Sequence, residues 1–143
     1  MSTRSLIGVM HGDKCKAVYC HFDGYLSGVG RMLLENYDSA KANNLVALGD
    51  ISMLEENILM SKDSEHSFDN PEPGVTVFYG RDRGEVGIEY KVFQDYDEML
   101  DFCDRCVLEF YYIMKDDVWY VADYHNRELR VLSEELAKET EEV

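Results

Sequence analysis

Hydrophobic positions along this chain follow two periods, and the switches between them lay out the elements. Leu6-Ile7-Gly8-Val9-Met10 and Lys16-Ala17-Val18-Tyr19-Cys20 flank His11-Gly12-Asp13-Lys14. A Gly-Asp centre between two apolar runs predicts a two-residue hairpin, because glycine accepts positive φ. That turn sets Met10 opposite Cys15 and Ile7 opposite Val18. One face then carries Ile7, Val9, Val18, Cys20 and Phe22, the expected core face. The other carries Arg4, Leu6, Tyr19 and His21, with Arg4 across from His21. After Gly24 the period becomes helical, with Leu26, Val29, Leu33 and Tyr37 at three- and four-residue steps. A second helix is expected from Ser39 to Leu48, stopped by Gly49. Ser52-x-x-Glu55 reads as a capping box opening a short helix with Leu54, Ile58 and Leu59.

Residues 61–74 hold both prolines and form a loop that is long for a compact domain, hence functional or mobile. Residues 75–79 and 86–93 alternate as two strands joined by a charged loop. Gln94-Asp95-Tyr96-Asp97-Glu98 opens a helix with acidic residues at its positive end and Met99, Leu100 and Cys103 facing inward. Residues 107–114 and 118–123 form a last hairpin turned by Lys115-Asp116-Asp117, and 129–132 a short strand or turn. Ser133 then caps an acidic helix and tail over 133–143, which frays into Glu141-Glu142. The predicted fold is one α+β domain over 1–143: an antiparallel sheet built from three hairpins, with helices packed on one face.

Composition adds sign and location. No apolar run approaches the ~18 residues needed to span a bilayer. Met1-Ser2-Thr3-Arg4-Ser5 leads straight into a strand pattern, without the apolar core of a signal peptide. The expected location is therefore the cytoplasm, with no membrane partner. The net charge is −15, concentrated beyond residue 50. A field of that sign repels nucleic-acid phosphates and attracts basic surfaces, so the expected partner is a protein with a basic surface rather than nucleic acid. Of the four cysteines, Cys103 and Cys106 form a C-x-x-C without a redox-type context. Cys15 and Cys20 fall on opposite faces of one strand, about 17 Å apart by strand rise. Buried free thiols are expected, with no metal and no cofactor.

Candidate chemistry gathers at two strand ends. Gly74-Val75-Thr76-Val77-Phe78-Tyr79 delivers Arg81-Asp82-Arg83-Gly84-Glu85 to one place, and Tyr19-Cys20-His21-Phe22-Asp23 ends another strand. If the tips after residues 22 and 79 meet, Arg4, Tyr19, His21, Asp23, Arg81, Asp82, Arg83 and Glu85 form one site. Guanidinium groups suit the phosphate or carboxylate of an anionic small molecule. His21 with Asp23 or Glu85 would suit a general base. The charges could equally pair with one another and tie the strand ends together. His11, His66 and His125 stand isolated in turn or loop sequence and are expected to be solvated. Phe68, Asp69, Tyr96, Asp97, Glu98 and Asp101 are the candidates for contact with a basic partner, the aromatics as anchors. An unpaired edge in the last hairpin would support a symmetric homodimer.

Several of these motifs carry a resemblance. Ser2-Thr3-Arg4-Ser5, Tyr19-Cys20-His21-Phe22-Asp23-Gly24-Tyr25, Leu48-Gly49-Asp50-Ile51-Ser52 and Phe78-Tyr79-Gly80-Arg81-Asp82-Arg83-Gly84-Glu85 resemble a family of small, mostly uncharacterised bacteriophage and prophage accessory proteins. The hairpin from Glu109-Phe110-Tyr111-Tyr112-Ile113 to Trp119-Tyr120-Val121 is similar to that family's C-terminal part. Phe22 stands where the family pattern has Trp. The resemblance implies an accessory phage protein in the host cytoplasm, with a takeover or anti-defence function, and carries over no catalytic residue.

Overall fold

A computed structural model describes residues 3–141; Met1, Ser2, Glu142 and Val143, the last two belonging to the expected tail, lie outside the described residues. Among those described, strands β1 (Ser5–His11) and β2 (Lys14–Cys20) come first, then a π-helical turn (Leu26–Gly30) that runs directly into α1 (Arg31–Asn36). Helix α2 (Ser39–Ala47), strands β3 (Ile51–Met53), β4 (Val77–Phe78) and β5 (Lys91–Phe93), and helix α3 (Tyr96–Arg105) follow. Strands β6 (Phe110–Lys115), β7 (Val118–Asp123) and β8 (Arg130–Val131) precede the last helix, α4 (Leu132–Glu141).

The first hairpin forms in the predicted register, Ile7 opposite Val18 and Met10 opposite Cys15. The sheet order is β4-β3-β2-β1-β6-β7-β8, with β5 also pairing with β2. The class is α+β as expected, but the sheet is mixed. Strand β1 runs parallel to β6, with Ile7 beside Tyr112, and β2 runs parallel to β3. Every residue of β1 from Ser5 to Val9 is buried, the signature of a strand covered on both faces. Ile7, Val9, Val18, Cys20 and Tyr112 pack against Leu33 of α1, Ala42 and Leu45 of α2 and Leu136 of α4. On the opposite face Leu6, Cys15, Ala17, Tyr111 and Ile113 pack under Met99, Leu100 and Cys103 of α3. Helices therefore cover both faces, not one. The second face holds too many apolar residues near β1 to be left in water.

Three further expectations are corrected. Phe22 lies past the end of β2 and is 37% exposed rather than in the core. The capping-box stretch is not helical: Ile51 is held between Cys20 and Phe78 in the sheet. The Thr76 hydroxyl then takes the Glu55 N–H at 2.9 Å, the bond a helix would have used. Residues 75–79 and 86–93 do not form a hairpin with each other. Strand β4 joins β3, and β5 joins β2. The loop between them curls on itself, Gly84 N–H donating to Gly80 O at 2.8 Å and Glu85 N–H to Tyr79 O at 3.1 Å. The β6–β7 hairpin forms where predicted, but β6 begins at Phe110 and keeps Lys115 in the strand opposite Val118, so the turn is the two residues Asp116 and Asp117, both at positive φ. Its outer strand β7 pairs with β8, so the edge expected to support a dimer is occupied.

Cys15, Cys20 and Cys103 are buried and Cys106 is exposed, all as free thiols. Burial pushes the Cys15 and Cys20 thiols up to about 12, which makes them inert core groups. No helix among the described residues is long and apolar enough to cross a membrane.

Gly8 sits where β1 is flanked by both neighbours. A β-carbon there would come within 2.7 Å of Cys15 Sγ and 3.2 Å of Ala17 Cβ and Ile113 Cδ1. Gly8→Val is expected to destabilise the fold by about 1–3 kcal/mol through overpacking, read as a lower urea midpoint with unchanged slope.

Candidate functional site

Cys20, Ile51 and Phe78 lie side by side across three strands and all face the first core cluster. Alternation therefore sends Tyr19, His21, Asp50, Ser52 and Tyr79 to the other face. No residue of β3 or β4 belongs to the cluster under α3, so this polar corner is not roofed by a helix. Asp50 Oδ1 accepts the Tyr19 N–H at 2.9 Å. The Tyr19 hydroxyl lies 2.5 Å from His21 Nδ1. Burial, assisted by the charge of Arg4, lowers the pKa of His21. Near neutral pH the imidazole is then uncharged, and its Nδ1 shares one hydrogen bond with the Tyr19 hydroxyl. Burial raises Tyr19 against the opposing pull of Arg4. It also raises Asp50, whose hydrogen bond from Tyr19 N–H and the nearby Lys91 act the other way. Arg4, Tyr19 and His21 thus share one neighbourhood, as the hairpin register predicts. Asp50 joins them; it follows the Gly49 stop after α2, and no local spacing singles it out.

Arg81 and Asp82 are elsewhere, and they are internal. The Asp82 carboxylate accepts the Phe78 N–H at 2.8 Å and Arg81 Nε at 2.8 Å. Arg81 also donates to Thr76 O at 2.9 Å and to Ile58 O at 2.5 Å. The third partner is His66, expected to be solvated. Its side chain is fully enclosed, with Nε2 3.1 Å from Asp82 Oδ2. The Glu72 N–H donates to its Nδ1 at 2.8 Å. A donor at Nδ1 places the ring proton on Nε2, facing Asp82. Burial opposes ionisation of Asp82, but the hydrogen bonds from Arg81, Phe78 N–H and His66 outweigh it and hold the carboxyl below its ordinary pKa. This arrangement ties the 61–74 loop to the end of β4. No motif spacing announces it, because the partners of His66 are set by tertiary folding alone.

The remaining candidates separate. Arg83 lies 3.8 Å from Glu85 in an exposed pair, and its guanidinium sits 4.8 Å from the Phe68 ring. Phe68 in turn packs 5.6 Å from Tyr79, which makes it a loop clamp rather than a free anchor. Asp23 closes the π-helical turn, its carbonyl accepting Val29 N–H at 2.8 Å. Strands β2 and β3 run parallel while β4 runs the other way. The chain therefore leaves Cys20 and Phe78 in opposite directions; of the residues after β4, Tyr79 and Glu85 still lie near Tyr19 and Asp50, whose pKa values, already raised by burial, they raise further. Tyr96 donates its hydroxyl to Arg127 O at 2.6 Å and is half-buried, so it too is committed internally. Asp97, Glu98 and Asp101 are exposed on α3, and Asp69 is exposed in its loop. Asp95 caps α3 by accepting the Glu98 N–H at 2.9 Å, and Glu98 accepts the Gln94 N–H at 2.7 Å.

No family model matches the chain, and no curated protein or solved structure matches it.

Removing one partner from the buried ion pair leaves the other charge uncompensated. Asp82→Ala is expected to cost about 3–5 kcal/mol and to open the 61–74 loop to limited proteolysis. Asp82→Asn tests the sign with pH. The folded pKa is depressed, so the carboxylate's contribution is complete above the ordinary value near ~4 and is lost as pH falls through the lower folded value. The stability gap between wild type and Asp82→Asn in urea titrations should be full at neutral pH and shrink in acid.

Proposed function

We propose that this chain is an accessory protein of the phage type, acting in the host cytoplasm by binding a basic surface of a host factor or defence protein. The observation that carries this reading is the outer face of α3. Asp97, Asp101 and Asp104 recur there at helical spacing beside Glu98, all exposed. The inner face of the same helix is anchored by Met99, Leu100 and Cys103. The acidic row is thus presented on a rigid element, within a chain of net charge −15. Arg127 pairs with Asp104 at one end of the row, and Asp97 and Asp101 remain for a partner. Long-range attraction to such a face speeds encounter and selects basic partners. The phage resemblance supports the setting, and the internal use of Arg81 and Asp82 removes the strongest candidates for small-molecule chemistry.

A second reading rests on the short Tyr19–His21 contact beside Arg4 in the corner without a helix. There an anionic small molecule, such as a nucleotide-like signal, would meet a cation, a phenol and an imidazole; whether it is bound or cleaved is decided by incubation with nucleotides and product analysis.

Capture of bacterial proteins on the immobilised chain checks the first reading. Binding is expected to weaken steeply between ~50 and ~200 mM salt, as the Debye length contracts. The Asp97→Lys/Asp101→Lys variant should lose the captured protein while keeping its circular dichroism. Capture indifferent to both salt and the double reversal contradicts the reading.

A further inference from the structure

Strand β5 pairs with β2 along one edge, and no strand pairs with its other edge among the described residues. The segment leading through it is Val86-Gly87-Ile88-Glu89-Tyr90-Lys91-Val92. In the single chain only Lys91–Phe93 is strand; Gly87 stands at positive φ and the Ile88 carbonyl accepts the Asp50 N–H at 2.8 Å. The sequence nevertheless alternates, with Val86, Ile88, Tyr90 and Val92 in one phase and Glu89 and Lys91 in the other. Yet Val86 is 87% and Val92 45% exposed. Lysine on a sheet edge ordinarily repels a second strand. Here a glutamate two residues away reverses that effect in one register.

We propose that the edge at β5 is a self-association surface, whose occupant is the 88–92 segment of a second copy of this chain, the two segments becoming extended and pairing antiparallel about a two-fold axis at Tyr90. In that register Lys91 faces Glu89 of the copy and Glu89 faces its Lys91, while Val92 faces Ile88. Both cross-strand charge pairs are opposite in sign, and the arrangement is isologous, so it closes at two chains. Registers centred on residue 89 or 91 place like charges directly opposite and are disfavoured. Lys91 is held toward the α3 side, its Nζ 5.3 Å from the Phe102 ring. That keeps the ammonium on the phase where the copy's Glu89 arrives. The opposite phase brings Tyr90 and Val92 of the two copies together, covering apolar surface that the single chain leaves in water. This interface is separate from the acidic row on α3, so a failure of one leaves the other standing.

Sedimentation equilibrium of the full chain over a concentration series tests the proposal. A reversible monomer–dimer equilibrium is expected. Lys91→Glu and Glu89→Lys should each weaken it about tenfold or more by setting like charges opposite one another, and the double exchange should restore it. Both positions are exposed, so the variants are expected to fold, and circular dichroism verifies that. Amide hydrogen exchange gives an independent readout: residues 88–92 should become more protected as concentration rises. A chain that stays monomeric, a dimer insensitive to both single reversals, or concentration-dependent protection confined to another segment would each overturn the proposal.

Discussion

A single enclosed carboxylate determines how the charged part of this molecule is organised. Asp82 is nearly inaccessible, and its oxygens are engaged by the Phe78 N–H, by Arg81 and by His66. An ionised group removed from water is tolerated only when its acceptor sites are filled. Filling them draws together β4, the segment around Ile58 that Arg81 also reaches, and the loop that bears His66. The long loop with both prolines is consequently not a loose excursion. Its course is set by a histidine bonded at both ring nitrogens and by Phe68, placed between Tyr79 and Arg83. The same constraint divides the charged residues into those used within the fold and those left facing outward.

That division is what shapes function. Arginine and aspartate adjacent in sequence look like a ligand site, and their pairing within the fold withdraws them from that role. What faces outward is the acidic row of α3, and, further along the same sheet face, the corner of Tyr19, His21 and Asp50. The first offers long-range attraction without any requirement for chemistry. The second offers a compact polar constellation whose members are already hydrogen-bonded to one another. The two lie on one face of the sheet but apart along it, because α3 lies over β1 and its neighbours and no residue of β3 or β4 packs under it.

How much of this was legible depended on the range of each interaction. The β1–β2 register could be read residue by residue, since a two-residue turn and strict alternation are local. The place of the last hairpin, if not the strand role of Lys115, and the acidic start and apolar inner face of α3 were local in the same way. The parallel pairing of β1 with β6 could not be read, for it joins segments separated by most of the chain and leaves no local mark. That pairing is also why the second sheet face is apolar and needs α3. The misread helix after Ser52 shows the competition directly: a local capping signal lost to Ile51 docking between Cys20 and Phe78. Of the candidate site, the neighbourhood of Arg4, Tyr19 and His21 followed from register. The place of Asp23 did not, because the opposite directions of β2 and β4 depend on β3 lying between them.

The protonation state of His66 is the most direct probe of this account. Nitrogen-15 chemical shifts of its imidazole at neutral pH should show a single neutral tautomer, with the proton on Nε2 and an acceptor Nδ1, in slow exchange with solvent. A proton on Nδ1, or an imidazole averaging freely between tautomers, would contradict the enclosed Asp82 arrangement and return Arg81 and Asp82 to the surface as candidates for a ligand.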